Sequence, residues 1–300
     1  MVKSIARNAA RALRLPFIGT SILPFVLGSL AAPVRFCAWG FILGLAAVIG
    51  THLGANMIND YADSCSGADW QDRKFYGFFG GSKLIQEGIL GERFYLAAAI
   101  FCFLAAGVAV LGLSTLLKTD LPVICYLLIL AAGVSYSYGP LRFSYCRLGE
   151  ITIFILFGPA LVMGGYFIQS GVFPDIRSLV LSLPAGFLTT AILFANEVPD
   201  YPEDTRCDKF TWVTMTGPRH SYILYAFIML AAFLSVLLAI FLGYLHRTAY
   251  LAFIFIPMVF KATVILKRSF TDKGKLIKSS RLTILVHSFV NASLIIGSLI

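Results

Sequence analysis

The chain has 300 residues, of which 58% are hydrophobic and only 13% charged, about half the charge of an ordinary soluble domain. Its mean hydropathy is +0.83. So few charges cannot cover a water-facing surface, which excludes a soluble globular protein. The excess of basic over acidic residues, 24 to 15, gives a net charge of +9, and in so apolar a chain this points to a membrane surface rather than to nucleic acid.

In chain order, the first feature is basic. Lys3, Arg7, Arg11 and Arg14 recur at roughly helical spacing, as in a short helix lying on an anionic leaflet. The following apolar run and the small-residue end Leu30-Ala31-Ala32 also have the outline of a secretory signal, but the helical spacing favours a surface helix leading into a first span. Charge-free intervals follow between Arg14 and Arg35, Arg35 and Asp60, Arg93 and Lys118, Asp120 and Arg142, Glu150 and Asp175, Arg177 and Glu197, Arg219 and Arg247, and from Arg281 onward. Each supplies the ~20 residues that cross a ~30 Å hydrocarbon layer. Thr248–Leu266 is a further candidate, with Lys261 able to snorkel. The expectation is an all-α polytopic membrane protein of about nine transmembrane helices, forming a single domain over residues 1–300.

With the N-terminus inside, twenty of the 24 basic residues fall on the cytoplasmic side and only Arg35, Lys118, Arg177 and Arg247 on the other. This bias predicts a cell (inner) membrane protein with a cytoplasmic N-terminus. The six cysteines are scattered without a paired motif, so neither a disulfide framework nor a zinc site is expected.

Two of the cytoplasmic connections are long, from about Asp60 to Arg93 and from Glu197 to Arg219, and loops of that length usually carry function. They also gather the acid: Asp60, Asp63, Asp69 and Asp72 in the first, Glu197, Asp200, Glu203, Asp204 and Asp208 in the second. His52, Asn56, Asn59, Asp60 and Asp63 follow at offsets of three and four or lie beside such positions, so they share one helix face. Asn196, Asp200, Glu203 and Asp204 do the same at the end of the sixth span. Both spans run in the same direction, so the two acidic faces emerge at one membrane surface.

Facing carboxylates repel unless cations intervene. Oxygen donors without matching His or Cys favour Mg²⁺, which keeps several waters and bridges carboxylates to phosphates. The implied ligand is a phosphate or diphosphate ester. His52, alone in an apolar span, reads as a hydrogen-bonded packing residue.

Asn59-Asp60-Tyr61-Ala62-Asp63, continuing to Gly67-Ala68-Asp69, resembles the first aspartate motif of the UbiA superfamily of intramembrane prenyltransferases. Asn196-Glu197-Val198-Pro199-Asp200-Tyr201-Pro202-Glu203-Asp204 resembles its second. Gly80-Gly81-Ser82-Lys83-Leu84-Ile85-Gln86-Glu87-Gly88, Tyr138-Gly139-Pro140-Leu141 and Leu148-Gly149-Glu150 look most like the 1,4-dihydroxy-2-naphthoate polyprenyltransferases of menaquinone synthesis. The chain departs from the family pattern after Asp204, with Asp208 in place of a glycine and Phe210 in place of a basic residue.

The resemblance implies a helical bundle with a central cavity opening to the cytoplasm. It implies transfer of a polyprenyl group from polyprenyl diphosphate to an aromatic acceptor, most simply 1,4-dihydroxy-2-naphthoate. Asn59, Asp63, Asp200 and Asp204 would hold Mg²⁺, with Asp60 as a further ligand or a support behind them. Lys83, Arg142 and Lys209 would bind the diphosphate and stabilise it as it leaves, and Asn56, Tyr138 and Asn196 would line the substrate site. Tyr136, Tyr138 and Phe79 are candidate aromatic faces for the allylic cation. Other UbiA-type enzymes, of the 4-hydroxybenzoate, homogentisate, haem or chlorophyll type, share the metal logic. A reading of another class is a cation or phosphate transporter using the acidic clusters as a vestibule. A lipid bilayer is the expected environment, no nucleic-acid partner is expected, and nothing in the sequence indicates an oligomeric state.

Overall fold

The computed structural model describes residues 2–67, 70 and 72–300, with side chains from residue 6 onward. Asp69, and the side chain of Lys3, lie outside the described residues.

Among the described residues, twelve α-helices account for nearly all the regular structure: α1 (Val2–Ala12), α2 (Gly19–Ala31), α3 (Ala38–Ser66), α4 (Glu92–Leu117), α5 (Leu121–Ser137), α6 (Gly149–Phe157), α7 (Pro159–Ser170), α8 (Ile176–Arg206), α9 (Trp212–Thr216), α10 (Ser221–Phe241), α11 (Ile256–Ser269) and α12 (Lys273–Leu299). Short 3₁₀ segments at Leu15–Phe17, Phe143–Tyr145 and Arg247–Phe255 join some of them. Helices are what an apolar solvent permits, because every backbone N–H and C=O must find its partner within the segment.

Among the described residues, seven helical stretches are long and apolar enough to cross a membrane, or eight if the bent pair Ala6–Ala12 and Leu15–Ala31 forms one span. The expectation was about nine. The difference is α5, whose 17 residues reach only about 25 Å at 1.5 Å per residue. The chain leaves the helix at Tyr138, just before Gly139-Pro140, where proline could not continue the ladder. This is a multi-pass membrane protein, and its lipid-facing belt is apolar: Phe101, Val108 and Phe260 are each at least 70% exposed.

The centre of the bundle is α8, with 78% of its apolar stretch buried inside the protein against 22–44% for the other spans. Leu181, Ala185, Leu188 and Phe194 pack with Tyr225 and Met229 of α10 and Val286, Val290 and Leu294 of α12. Lipid tails are as apolar as leucine, so close contact rather than escape from water holds such helices together. The clearest example joins α2 to α7: a Cβ on Gly28 would stand 1.9 Å from the Val162 carbonyl oxygen, and one on Gly165 would stand 2.4 Å from that of Phe25. The fifth span breaks at Gly158 for a similar reason, since a Cβ there would meet Gly186 Cα and the Ser182 carbonyl at 2.8 Å.

Two lengths position the site. Helices α3 and α8, with 29 and 31 residues, run about 43 and 46 Å, well beyond a ~30 Å hydrocarbon layer. Their surplus lies at the C-terminal ends, and those ends carry the two acidic motifs.

Helix α1 does more than lie on a surface. Ala12 packs with Met57, Ile58, Leu84, Ile85 and Tyr95. Arg11 bonds both the Glu87 carboxylate, at 2.7 Å, and the Ser82 carbonyl, at 2.8 Å. Arg11 of the basic face therefore docks inward against the α3–α4 connection.

Candidate active site

A cavity of about 250 Å³ opens between the ends of α3 and α8. Asn56, Asn59 and Asp63 of α3 form one wall and Asn196, Asp200 and Asp204 of α8 the other, as the parallel-running faces require. Gly80, Gly81 and Lys83 of the α3–α4 connection close over the mouth. The deep end is apolar, with Ile153, Leu156, Phe157, Ile192 and Leu193.

Local geometry fixes the mouth. Gly80 adopts a left-handed conformation (φ +72°), and its N–H donates to Asp200 Oδ2 at 3.2 Å. Glycine holds that conformation without the steric cost of a Cβ. Lys83, also left-handed, is only 3% exposed.

Lys209 is set by a different device. The Lys209 N–H caps α8 on the Asp204 carbonyl at 2.9 Å, Phe210 N–H reaches the Tyr145 carbonyl, and Arg147 N–H reaches the Phe210 carbonyl. This short bridge holds the Lys209 ammonium 3.4 Å from Asp204 Oδ1 and over the Tyr145 ring. Burial works against its charge, but the Asp204 and Asp63 carboxylates outweigh that and raise its pKa well above the usual lysine value. Lys209 is a fixed cation at any physiological pH.

A second clasp crosses the mouth. Lys273, the first residue of α12, donates to Asp72 Oδ2 at 2.9 Å and to Glu203 Oε1 at 3.1 Å, and Tyr76 donates to the same Asp72 oxygen. For Asp72, burial raises the pKa, but the bonds from Lys273 and the Lys74 N–H overcome it and leave the carboxyl below its ordinary value.

Most of the candidates named from the sequence meet at this cavity: Asn56, Asn59, Asp63, Lys83, Asn196, Asp200, Asp204 and Lys209 all line it, with Phe79 and Tyr136 among the aromatic faces. Three do not. Asp60 is 2% exposed and paired with Arg14 outside the wall. Arg142 lays its guanidinium 3.8 Å over the Tyr145 ring. Tyr138, 47% exposed, stacks on Tyr61 beyond the end of α5. For Asp60 the cause is that helical spacing puts a residue on a stripe and a neighbouring element decides which edge of that stripe it covers, whereas Tyr138 and Arg142 lie outside any helix, in the turn that follows α5.

Sequence reasoning missed Arg14 and Lys273, whose charges were assigned to surface binding and orientation. Both line the cavity, and no local pattern separates them from the other basic residues. His52 is a packing residue in part, with Nδ1 2.7 Å from Ser21 Oγ, yet its ring also forms cavity wall.

The donor set fits a hard divalent cation. Asp63 Oδ1, Glu203 Oε2 and the Asn196 amide oxygen are buried and accept no hydrogen bond from the protein. Among the described residues no three His, Cys, Asp or Glu side chains converge to enclose one ion. That suits Mg²⁺, which takes one or two carboxylates and completes its shell with water and phosphate oxygens. The Asn59 oxygen accepts from Arg14 at 3.0 Å, so it is less open to a metal than the carboxylates.

The profile of the UbiA prenyltransferase family matches residues 21–283. A Mycobacterium tuberculosis protein named 1,4-dihydroxy-2-naphthoate octaprenyltransferase is 30% identical over 220 residues, 73% of this chain and 72% of the relative. Among solved structures, a UbiA homolog from Aeropyrum pernix K1 superposes with a TM-score of 0.74 at 16% identity, covering 95% of this chain and 98% of that one. A UbiA homolog from Archaeoglobus fulgidus, bound to GPP and Mg²⁺, superposes with a TM-score of 0.62 at 14% identity, covering 96% and 99%.

Proposed function

The chain belongs to the UbiA prenyltransferase family, and from that premise we propose that it is a Mg²⁺-dependent enzyme that transfers a polyprenyl group from its diphosphate to 1,4-dihydroxy-2-naphthoate. Family membership leaves no place for the transporter reading. The observation that carries the proposal is the polarity of the cavity, with carboxylates and fixed cations at the mouth and an apolar end behind them. A prenyl diphosphate has the same polarity.

Asp63, Asp200 and Asp204 would hold Mg²⁺ on the diphosphate, with Asn59 and Asn196 beside them. Held by these residues, Mg²⁺ would supply neutralisation of the charge that grows on the leaving group. Lys209 and Lys83 present further positive charge to the same oxygens, already oriented before substrate arrives. Phe79 and Tyr136 line the cavity and would offer ring faces to the allylic cation. The apolar deep end keeps water from the cation. The naphthoate acceptor is supported by the Mycobacterium tuberculosis relative. In this reading residues 1–300 act as one membrane domain, and the excess of basic residues in these connections supports a cavity mouth at the cytoplasmic face of the inner membrane.

The test is turnover of purified protein with Mg²⁺, a long polyprenyl diphosphate and a panel of aromatic acceptors, read by mass spectrometry. Prenylated naphthoate product is expected. Asp63→Asn and Asp200→Asn should each lower turnover by ~100-fold or more, in the range for removal of transition-state charge stabilisation. Full activity in either variant removes the metal role, and product from a different acceptor replaces the naphthoate assignment.

A further inference from the structure

Below the acidic motif, the cavity face of α3 carries a second polar feature. His52 lies about 16 Å deeper along the helix axis than Asp63, where the facing wall of Leu156, Phe157 and Ile192 is apolar. It is 7% exposed, and its ring lines the cavity. The ring is fixed from two sides, with Nδ1 2.7 Å from Ser21 Oγ and the Phe157 ring edge to face at 6.0 Å. Its other nitrogen, Nε2, is buried and has no hydrogen-bond partner. One turn nearer the mouth, Asn56 also lines the cavity, and its Nδ2 is likewise buried without a partner.

A buried polar group costs free energy unless it is hydrogen-bonded, and two such groups on one cavity wall call for a ligand that satisfies both. Among the described residues, His52 is the one hydrogen-bond partner of the Ser21 hydroxyl. The hydroxyl proton therefore goes to Nδ1, and the neutral ring keeps its own proton on Nε2. In that tautomer His52 Nε2 and Asn56 Nδ2 are both donors. They belong to residues four apart on α3, about 6 Å along the axis, comparable with the separation of two oxygens para to each other on one aromatic ring. Asn56 is about 4.5 Å deeper than Asn59, so a ring held along this stripe lies just below a diphosphate at the mouth. Phe157, Ile192 and Leu193 give that ring apolar surroundings.

We propose that His52 and Asn56 determine acceptor specificity by holding the two para oxygens of a 1,4-dihydroxyarene, with Ser21 as the positioning residue behind His52; this deepens the prenyltransferase reading above and rests on it for the choice of ligand. Each donor takes one ring oxygen. An arene with a single hydroxyl satisfies one donor and leaves the other buried and unpaired, and a site built in this way rejects such an analogue. Two fixed points on one ring also orient it towards the allylic carbon. Ser21 keeps the imidazole in the tautomer and rotation that this requires.

The experiment uses two acceptors that differ by one oxygen, 1,4-dihydroxy-2-naphthoate and 1-hydroxy-2-naphthoate, with the purified protein in detergent. Binding of each is read by naphthoate fluorescence without prenyl diphosphate, and kcat and KM by mass spectrometry with Mg²⁺ and a polyprenyl diphosphate. Wild type should favour the dihydroxy acceptor by about 100-fold in binding and in kcat/KM. His52→Phe and Asn56→Leu should each cut that preference below about tenfold by weakening the dihydroxy acceptor alone, with KM for the prenyl diphosphate within about threefold of wild type. His52→Gln, which restores a donor, should keep more of the preference than His52→Phe, and Ser21→Ala should lose about threefold of it with KM for the prenyl diphosphate unchanged. The clamp is overturned if wild type does not discriminate, if both His52→Phe and Asn56→Leu keep the wild-type preference, or if both acceptors and the prenyl diphosphate weaken together as in a packing defect. Should His52→Phe not fold, a wild-type preference in Asn56→Leu overturns it equally. If wild type shows the binding preference but forms no product from either acceptor, the prenyltransferase reading fails and the clamp stands.

Discussion

Removing Arg14 tests whether Asp60 is part of a buried ion pair or a metal ligand. In the pair, the Asp60 side chain is 2% exposed and that of Arg14 is 22% exposed. In Arg14→Met the Asp60 carboxylate stays buried without its guanidinium, and breaking such a pair from one side costs about 3–5 kcal/mol. Asp60→Asn is milder, because Arg14 retains its bond to Asn59 and reaches water; about 1–2 kcal/mol is expected, near the cost of one charged hydrogen bond. The double variant leaves no buried charge, so it should be less damaged than the sum of the singles by about 2 kcal/mol or more. Unfolding in mixed micelles by stepwise addition of denaturing detergent reads all four proteins, and a thermal midpoint about 6 °C lower is expected for Arg14→Met. Mg²⁺ dependence of turnover, measured alongside, should survive Asp60→Asn and vanish in Asp63→Asn. Unchanged stability in Arg14→Met, or loss of Mg²⁺ dependence in Asp60→Asn, would refute the assignment of Asp60 to the ion pair.

Lys273→Met should release the strap from Asp72 to Phe79. Its two partly buried ion pairs are together worth about 1 kcal/mol, so backbone amides there should exchange about fivefold faster. Because the Asp72 carboxyl titrates below its ordinary value, its contribution is present above the unfolded pKa of about 3.9 and is lost as pH falls through the lower folded value. Strap protection in the unaltered protein should therefore be flat from pH 7 to 5. A decline within that window, or no change in Lys273→Met, would contradict the clasp. Gly28→Ala places a methyl 1.9 Å from a backbone oxygen; about 3 kcal/mol of overpacking is expected, read as a lowered thermal midpoint. A wild-type midpoint would show that α2 and α7 move apart freely.

The apolar intervals, the acidic faces of α3 and α8 and the basic bias were all legible in the sequence, because each depends on periodicity within one segment. Asn56, Asn59 and Asp63, and Asn196, Asp200 and Asp204, lie three to four residues apart, and helix geometry alone aligns them. Both helices are longer than the hydrocarbon layer, so their polar ends had to emerge from it. Side choice within a stripe was beyond that reach. Asp60 has the same spacing as its neighbours, yet α1 docks against the α3–α4 connection and Arg14 takes the Asp60 carboxylate. Lys273 is 201 residues from Asp72, a separation over which no periodicity carries information. The span estimate differed at α5 for a related reason, since an interval free of charge limits a helix but does not oblige the chain to stay helical throughout. Local hydrophobicity determined what this chain is embedded in and where its chemistry gathers. Only the packing of α1 and α12 around those two helix ends decided which charges face the cavity and which pair behind it.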